Sequence, residues 1–144
     1  IAAQKPCLQQ MVEAFEETGG NIVAAMQVPA EHTSRYGILD CDHSLSSLMP
    51  LEGLVEEPSA GTAPSNLAVI GRYILTPKVL ENLDALRVGR DREVQITDAI
   101  MDGILAGRDV YGWRFEGQRF DCGSKSGFLQ ATVAFWACPS RSLC

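Results

Sequence analysis

Hydrophobic and polar positions follow two rhythms along the chain, one helical and one extended. Leu8, Met11, Val12 and Phe15 fall at i, i+3, i+4 and i+7, the spacing of one helix face. Pro6 suits the first turn and Gly19-Gly20 a stop, so a helix with one apolar face is predicted over residues 6–18. Asn21 to Val28 is a short apolar run closed by Pro29, the mark of a buried strand. A polar loop over 30–35 precedes a second strand, Tyr36 to Asp40, with Gly37 inside it. Residues 41–50 read as a turn and Leu51 to Glu57 as a third strand. After the Pro/Gly-rich loop 58–64 comes a longer apolar strand, Asn66 to Leu75, with Gly71 at its centre.

Thr76-Pro77 is a helix start, followed by Val79, Leu80, Leu83 and Leu86 on one face. A charged loop, Arg87 to Arg92, separates it from a second helix, capped by Thr97, with Ile100, Met101, Ile104 and Leu105 apolar. Val110 to Phe115 and Gln118 to Cys122 read as strand or hairpin material. Ser124 opens a last helix with Phe128, Leu129, Thr132, Phe135 and Trp136 on one face, ended by Pro139. The order α-β-β-β-β-α-α-β-β-α predicts an α/β fold, a mixed sheet with flanking helices. Strands adjacent in sequence without helices between them predict antiparallel pairs.

Composition narrows the function. The 144 residues carry a formal net charge of −6, which excludes the basic face of a nucleic-acid binder. Hydrophobic residues make up 46% and charged residues 21%, so the chain is not disordered. The apolar runs are too short for a membrane span. The five cysteines are scattered and without metal-ligand spacing, which fits reduced thiols in a cytoplasmic protein. The first residue is Ile1 rather than Met, and the expectation is a piece of a longer protein.

No nucleophile motif or phosphate-binding glycine loop is present. Four stretches stand out. Ser34-Arg35-Tyr36-Gly37-Ile38 places a Gly where a backbone group can touch a ligand, or where a strand merely starts tightly. Val55-Glu56-Glu57-Pro58 ends a strand with two carboxylates, fit for hydroxyls, a metal, a base or only solvent. Ala63-Pro64-Ser65-Asn66 is turn chemistry ahead of a buried strand. Phe120-Asp121-Cys122-Gly123-Ser124-Lys125 puts a carboxylate just before a helix N-terminus, where a cation and a phosphate can meet or where the helix is only capped.

Together these stretches resemble the second half of bacterial UTP–glucose-1-phosphate uridylyltransferase (UDP-glucose pyrophosphorylase). The matching text is KPCLQQMVEAFEETGGNIVA, SRYGILD, VEEPSAGTAPSNLAVIGRYILTP, EVQITDAI and YGWRFEGQRFDCGSKSGFLQATVAF. The resemblance implies a Rossmann-like nucleotidyltransferase fold, of which residues 1–137 are an incomplete C-terminal, sugar-binding half and 138–144 an unpatterned tail. It implies transfer of UMP from UTP to glucose 1-phosphate, giving UDP-glucose and pyrophosphate, with Mg²⁺ as cofactor. The glycine-rich UTP loop and a second metal-binding Asp are expected before Ile1, so the chain alone is expected to be inactive.

Carried over residue by residue, Gly37 contacts the glucose through its backbone, Glu56 accepts from its hydroxyls, and Asp121 binds the metal. Lys125 is placed near the phosphates. Asn66, Ala68 and Gly71 shape the sugar pocket, and no residue is assigned as catalytic. Glu93, Gln95, Thr97 and Asp98 match a family segment read as loop and helix cap. A homo-oligomer is expected of the full-length protein, and open strand edges of this chain alone.

One departure is chemical. The family pattern is Glu-Lys-Pro, and this chain has Glu56-Glu57-Pro58. A carboxylate in place of a cation that meets the sugar phosphate reverses an interaction worth about 4 kcal/mol at 4 Å and an effective dielectric of 20. Glu57 is therefore a substrate-binding position expected to impair glucose 1-phosphate binding. The alternatives are a related nucleotidyltransferase of other base or sugar specificity, and a non-catalytic sugar-nucleotide-binding or assembly module.

Overall fold

The computed structural model describes residues 1–42, 46–87 and 95–137. Its elements are α1 (Cys7–Thr18), β1 (Asn21–Gln27), a 3-10 helix (Ala30–Arg35), β2 (Ile38–Cys41), β3 (Leu48–Val55), β4 (Leu67–Ile74), α2 (Pro77–Arg87), α3 (Ile96–Leu105), β5 (Val110–Arg114) and α4 (Lys125–Trp136). Gly19 closes α1 in the left-handed conformation at φ 67°, as its position after the apolar run predicts.

The sheet is mixed, as expected. β1 pairs antiparallel with β4 and parallel with β5; β2 pairs antiparallel with β3 and β4, and β3 with β5. The expected open edges are not found among the described residues, because the ladder closes on itself in the order β1-β4-β2-β3-β5. The seam is narrow where β2 meets β4, with Ile38 opposite Ala68 as the register pair.

β1 is buried on both faces, which explains its unbroken apolar run. Val23 and Ala25 face a core shared with Leu39, Met49 and Leu51 and covered by Val79 of α2 and Ala99 and Ile100 of α3. Ile22 and Ala24 face Met11 and Ala14 of α1, with Ile70 and Phe115. Each large apolar side chain buried this fully contributes about 1.5–3 kcal/mol relative to exposure.

Four sequence expectations need correction. The inward face of α1 is Cys7, Gln10, Met11 and Ala14, while Leu8 and Val12 are exposed. The rotation follows from Gln10, whose amide Nε2 donates to the carbonyls of Lys5 (2.7 Å) and Glu116 (2.9 Å). Its Oε1 accepts from Glu116 N–H (2.9 Å) and from Trp113 Nε1 (3.3 Å). In α3 the N-cap is Gln95 rather than Thr97, because the Asp98 carboxylate accepts from Gln95 N–H at 3.2 Å. The third strand begins at Leu48, not Leu51. Residues 118–122 do not return as a hairpin on β5; Gln118 instead exchanges backbone bonds with Ala2 (2.7 and 2.8 Å).

The last helix departs furthest. α4 starts where expected, with the Ser124 hydroxyl accepting from Gly127 N–H at 3.1 Å. Its apolar face is not buried: Trp136 is 89% exposed and Phe128 62%, and Ala131 is its buried residue. Phe135 stacks edge-on against Phe120 (5.8 Å), and Leu129 and Val133 line an open cleft with Gln118 and Phe120. Leu80 and Leu105 are likewise exposed, whereas Val79 and Ile100 are buried as expected. The side chain of Leu86, Glu93, most of the charged loop and the tail lie outside the described residues.

Gln10→Ala removes the partner of part-buried carbonyl, amide and indole groups of the 113–116 segment. It is expected to lower stability by about 1–3 kcal/mol, read as a fall in the urea midpoint at unchanged slope. An unchanged midpoint would show that the network does not hold α1 to β5.

Candidate functional site

The antiparallel register of β2 and β3 sets Ile38 opposite Val55. The residues just beyond that pair, Gly37 and Glu56, are neighbours as a consequence. The Glu56 carboxylate occupies the space a side chain at Gly37 would need: a Cβ there would lie 2.8 Å from Oε2. The Gly37 carbonyl accepts from Val69 N–H (2.8 Å), and the Tyr36 carbonyl from Glu57 N–H (3.2 Å). Both ends of the Tyr36-Gly37 turn are thereby tied down. Glu57 adopts φ 42°, a left-handed conformation that costs a residue with a Cβ about 1–2 kcal/mol.

β4 supplies the next wall. Val23 of β1 faces Tyr73 and Ala25 faces Val69, so β4 carries extra residues between these pairs. Gly71 sits in that irregularity at φ 70°, where only glycine is unstrained. Val69, Gly71 and Tyr73 line a cleft of about 200 Å³ with Arg35, Tyr36, Gly37, Glu56, Gln95, Ile96 and Thr97. Burial pushes the Tyr73 phenol pKa above its ordinary value, and the Glu56 carboxylate adds to the shift. Tyr73 therefore remains a hydrogen-bond donor at neutral pH. The cleft is smaller than the roughly 300–1,000 Å³ of pockets that enclose a drug-sized ligand. It holds a carboxylate, two phenols, a hydroxyl and an amide, the donors and acceptors suited to a small polyhydroxylated ligand, with a guanidinium beside them.

The structure brings Gly37, Glu56 and Gly71 to one cleft and places Glu57, Asn66, Asp121 and Lys125 outside its lining. Glu57 is exposed and outside the cleft lining. Asn66 lines a different cleft, of about 440 Å³, with Ala30, Thr33, Gly61, Ala63 and Ser65. Asp121 and Lys125 are exposed at the N-terminus of α4, and Asp121 Oδ1 accepts from Gly123 N–H at 3.0 Å. Their segment still approaches the first cleft, since the Arg119 guanidinium lies 5.8 Å from the centre of the Tyr36 ring. Among the described residues no group of three or more His, Cys, Asp or Glu is placed to hold a metal. Cys7, Cys41 and Cys122 are free thiols, and burial pushes the first two up in pKa.

Roles for Arg35, Tyr73, Gln95 and Thr97 were not assigned from the sequence. One signal was available: Val69, Gly71 and Tyr73 recur with the period of two that puts them on one strand face. Gln95 and Thr97 carry no such signal, because α3 reaches the cleft only through tertiary packing.

Residues 2–136 match the nucleotidyl transferase family. The chain belongs to that family. Within it, the chain is 41% identical over 135 residues to UTP–glucose-1-phosphate uridylyltransferase 1 of Staphylococcus saprophyticus, covering 94% of this chain and 47% of that protein. It is 46% identical over 125 residues to the UTP–glucose-1-phosphate uridylyltransferase of Komagataeibacter xylinus, covering 87% and 44%. A crystal structure of apo UDP-glucose pyrophosphorylase superposes with a TM-score of 0.85 at 36% identity, over 94% of this chain and 50% of that one. A UDP-glucose pyrophosphorylase complexed with UDP-glucose gives 0.83 at 36% identity, over 94% and 52%. This nucleotidyl transferase chain thus spans about half the length of the relatives it matches.

Gly37→Ala tests the cleft. The displaced atom is the far end of a flexible Glu56 side chain, so the unfolding midpoint is expected to stay near that of the parent. Affinity for a sugar ligand is expected to fall at least about tenfold, the scale of one charged hydrogen bond, measured by saturation-transfer NMR. Retained affinity would remove Gly37 from the site.

Proposed function

We propose that the chain is the sugar-binding half of an enzyme that transfers UMP from UTP to glucose 1-phosphate, giving UDP-glucose and pyrophosphate. The observation that carries this reading is the cleft in which Glu56 fills the space above Gly37. Glu56 accepts from glucose hydroxyls there, and Gly37 allows the ring to approach the backbone. Gly71 and Val69 form the floor, with Tyr73 as a donor beside them. In such a reaction the sugar phosphate attacks the nucleotide's α-phosphorus directly, so binding and charge compensation carry the rate and no protein nucleophile is required.

Asp121 is the residue proposed to contact Mg²⁺. A single exposed carboxylate fits that ion, which takes one or two carboxylates and fills its remaining positions with phosphate oxygens and water. Bound there, the ion would offset phosphate charge. Lys125, one residue into α4, is proposed to face the phosphates. Asn66 acts indirectly, through the loop that starts β4. Residues 1–137 form the domain part and 138–144 its tail. The scattered free thiols support a reducing, cytoplasmic setting. No helix among the described residues is long and apolar enough to cross a membrane. The apolar residues exposed on α4 support assembly of the full protein with a second copy of itself.

Two substitutions test the reading by titration with glucose 1-phosphate. Glu56→Gln removes the charged acceptor and is expected to weaken binding about tenfold. Glu57→Lys changes the charge beside the cleft from negative to positive. Because Glu57 is exposed, solvent screening limits the expected gain to about two- to fivefold. No loss with Glu56→Gln would overturn the assignment of the cleft to sugar hydroxyls.

A further inference from the structure

Arg35 and Glu56 are the charged side chains among the residues that line the cleft. Both are exposed, but their neighbours differ. Glu56 lies against Gly37 and beside Tyr73, among groups that match hydroxyls. Arg35 ends the 3-10 helix, is exposed, and has no ion-pair partner among the described residues. Next to it, Tyr36 carries the Arg119 guanidinium at 5.8 Å from its ring centre. Two guanidinium groups, of Arg35 and Arg119, thus meet the rim at residues 35–36, where the Glu57 backbone also bonds Tyr36, within a chain whose net charge is −6. A ligand matched to both ends is a polyol bearing an anion.

We infer that Arg35 is a specificity-determining residue that receives the phosphate of a sugar phosphate whose hydroxyls are held by Glu56. The inference rests on the sugar-binding reading of the cleft and adds the anion's partner to it. A guanidinium presents parallel N–H donors that match two phosphate oxygens, which a lysine ammonium cannot reproduce. Arg119 is a positioning residue, holding the Tyr36 ring at the same rim.

The test compares binding of glucose, glucose 1-phosphate, UDP-glucose and inorganic phosphate to the 144-residue chain and to its Arg35→Gln and Arg35→Lys variants. Ligand-observed NMR reads the weak affinities, and thermal unfolding checks folding. The parent chain is expected to bind glucose 1-phosphate about five- to tenfold more tightly than glucose at low salt, with the preference shrinking as salt is raised. Arg35→Gln is expected to abolish that preference and leave glucose affinity within twofold; Arg35→Lys keeps part of it. UDP-glucose losing affinity in parallel places the same contact on a diphosphate. An undiminished preference in Arg35→Gln overturns the role of Arg35 and leaves the sugar site standing. Glucose and glucose 1-phosphate both failing to bind the parent chain overturns the sugar reading and this inference with it. Inorganic phosphate binding as tightly as glucose 1-phosphate shows a bare anion site and also overturns it.

Discussion

Everything in the cleft depends on how β4 is fastened to the start of β2. The register contact between these strands is narrow, Ile38 opposite Ala68. Two bonds reinforce it: Val69 N–H to the Gly37 carbonyl at 2.8 Å, and the buried Ser65 hydroxyl to the Leu39 carbonyl at 2.6 Å. Ser65 also accepts from Leu67 N–H at 3.1 Å, so one hydroxyl sets where β4 begins and what it lies against. From that start, the period of two carries Val69, Gly71 and Tyr73 to the cleft. The β2–β3 pairing carries Glu56 to Gly37. Without the seam, β2 and β4 would be opposite edges of an open sheet, joined only through β3, β5 and β1.

Much of the fold was legible in the sequence because strands here are bounded by residues with hard backbone constraints. Gly19, Pro29 and the Thr76-Pro77 pair each end or start an element near the position their chemistry requires. The helix faces were less legible. Period 3.6 finds apolar positions, but burial of α1 is decided by Gln10, a polar residue whose four hydrogen bonds turn the helix about its axis. A hydropathy pattern ranks Gln10 as outward. The same logic accounts for Thr97, a good cap by type that lies inside the helix because Asp98 reaches back to Gln95.

The site divides along the same line. The local pattern offered Gly37 at a strand start and two carboxylates at a strand end, the family resemblance selected Gly37 and Glu56, and hydrogen-bonded pairing makes such residues neighbours. Asn66 was assigned to the same pocket by the family resemblance, yet five residues along a strand span about 16 Å, and it lies at another cleft. Gln95 and Thr97 became wall residues only through the packing of α3, which joins β3 through Met101 at Gly53. Chain-local reasoning has no access to contacts of that kind.

The two halves of the proposed chemistry rest on unequal supports. The polyol end is built from residues fixed by strand pairing, a bulge glycine and the α3 start, so its geometry is set before a ligand arrives, and preorganised hydrogen bonds bind at less entropic cost. The charged end is different. Asp121 and Lys125 hang from the N-terminus of α4, and α4 leaves Trp136, Phe128 and Leu129 in solvent. A carboxylate there, with one oxygen turned to Gly123 N–H, is held by local bonds alone. The proposed sugar contacts thus lie on paired strands and the start of α3, whereas the proposed metal and phosphate contacts lie on the exposed N-terminus of α4. A partner seated on α4 would bury its apolar face on the same helix whose first turn carries Lys125 and follows Asp121, so the proposed assembly and the proposed phosphate end share one element.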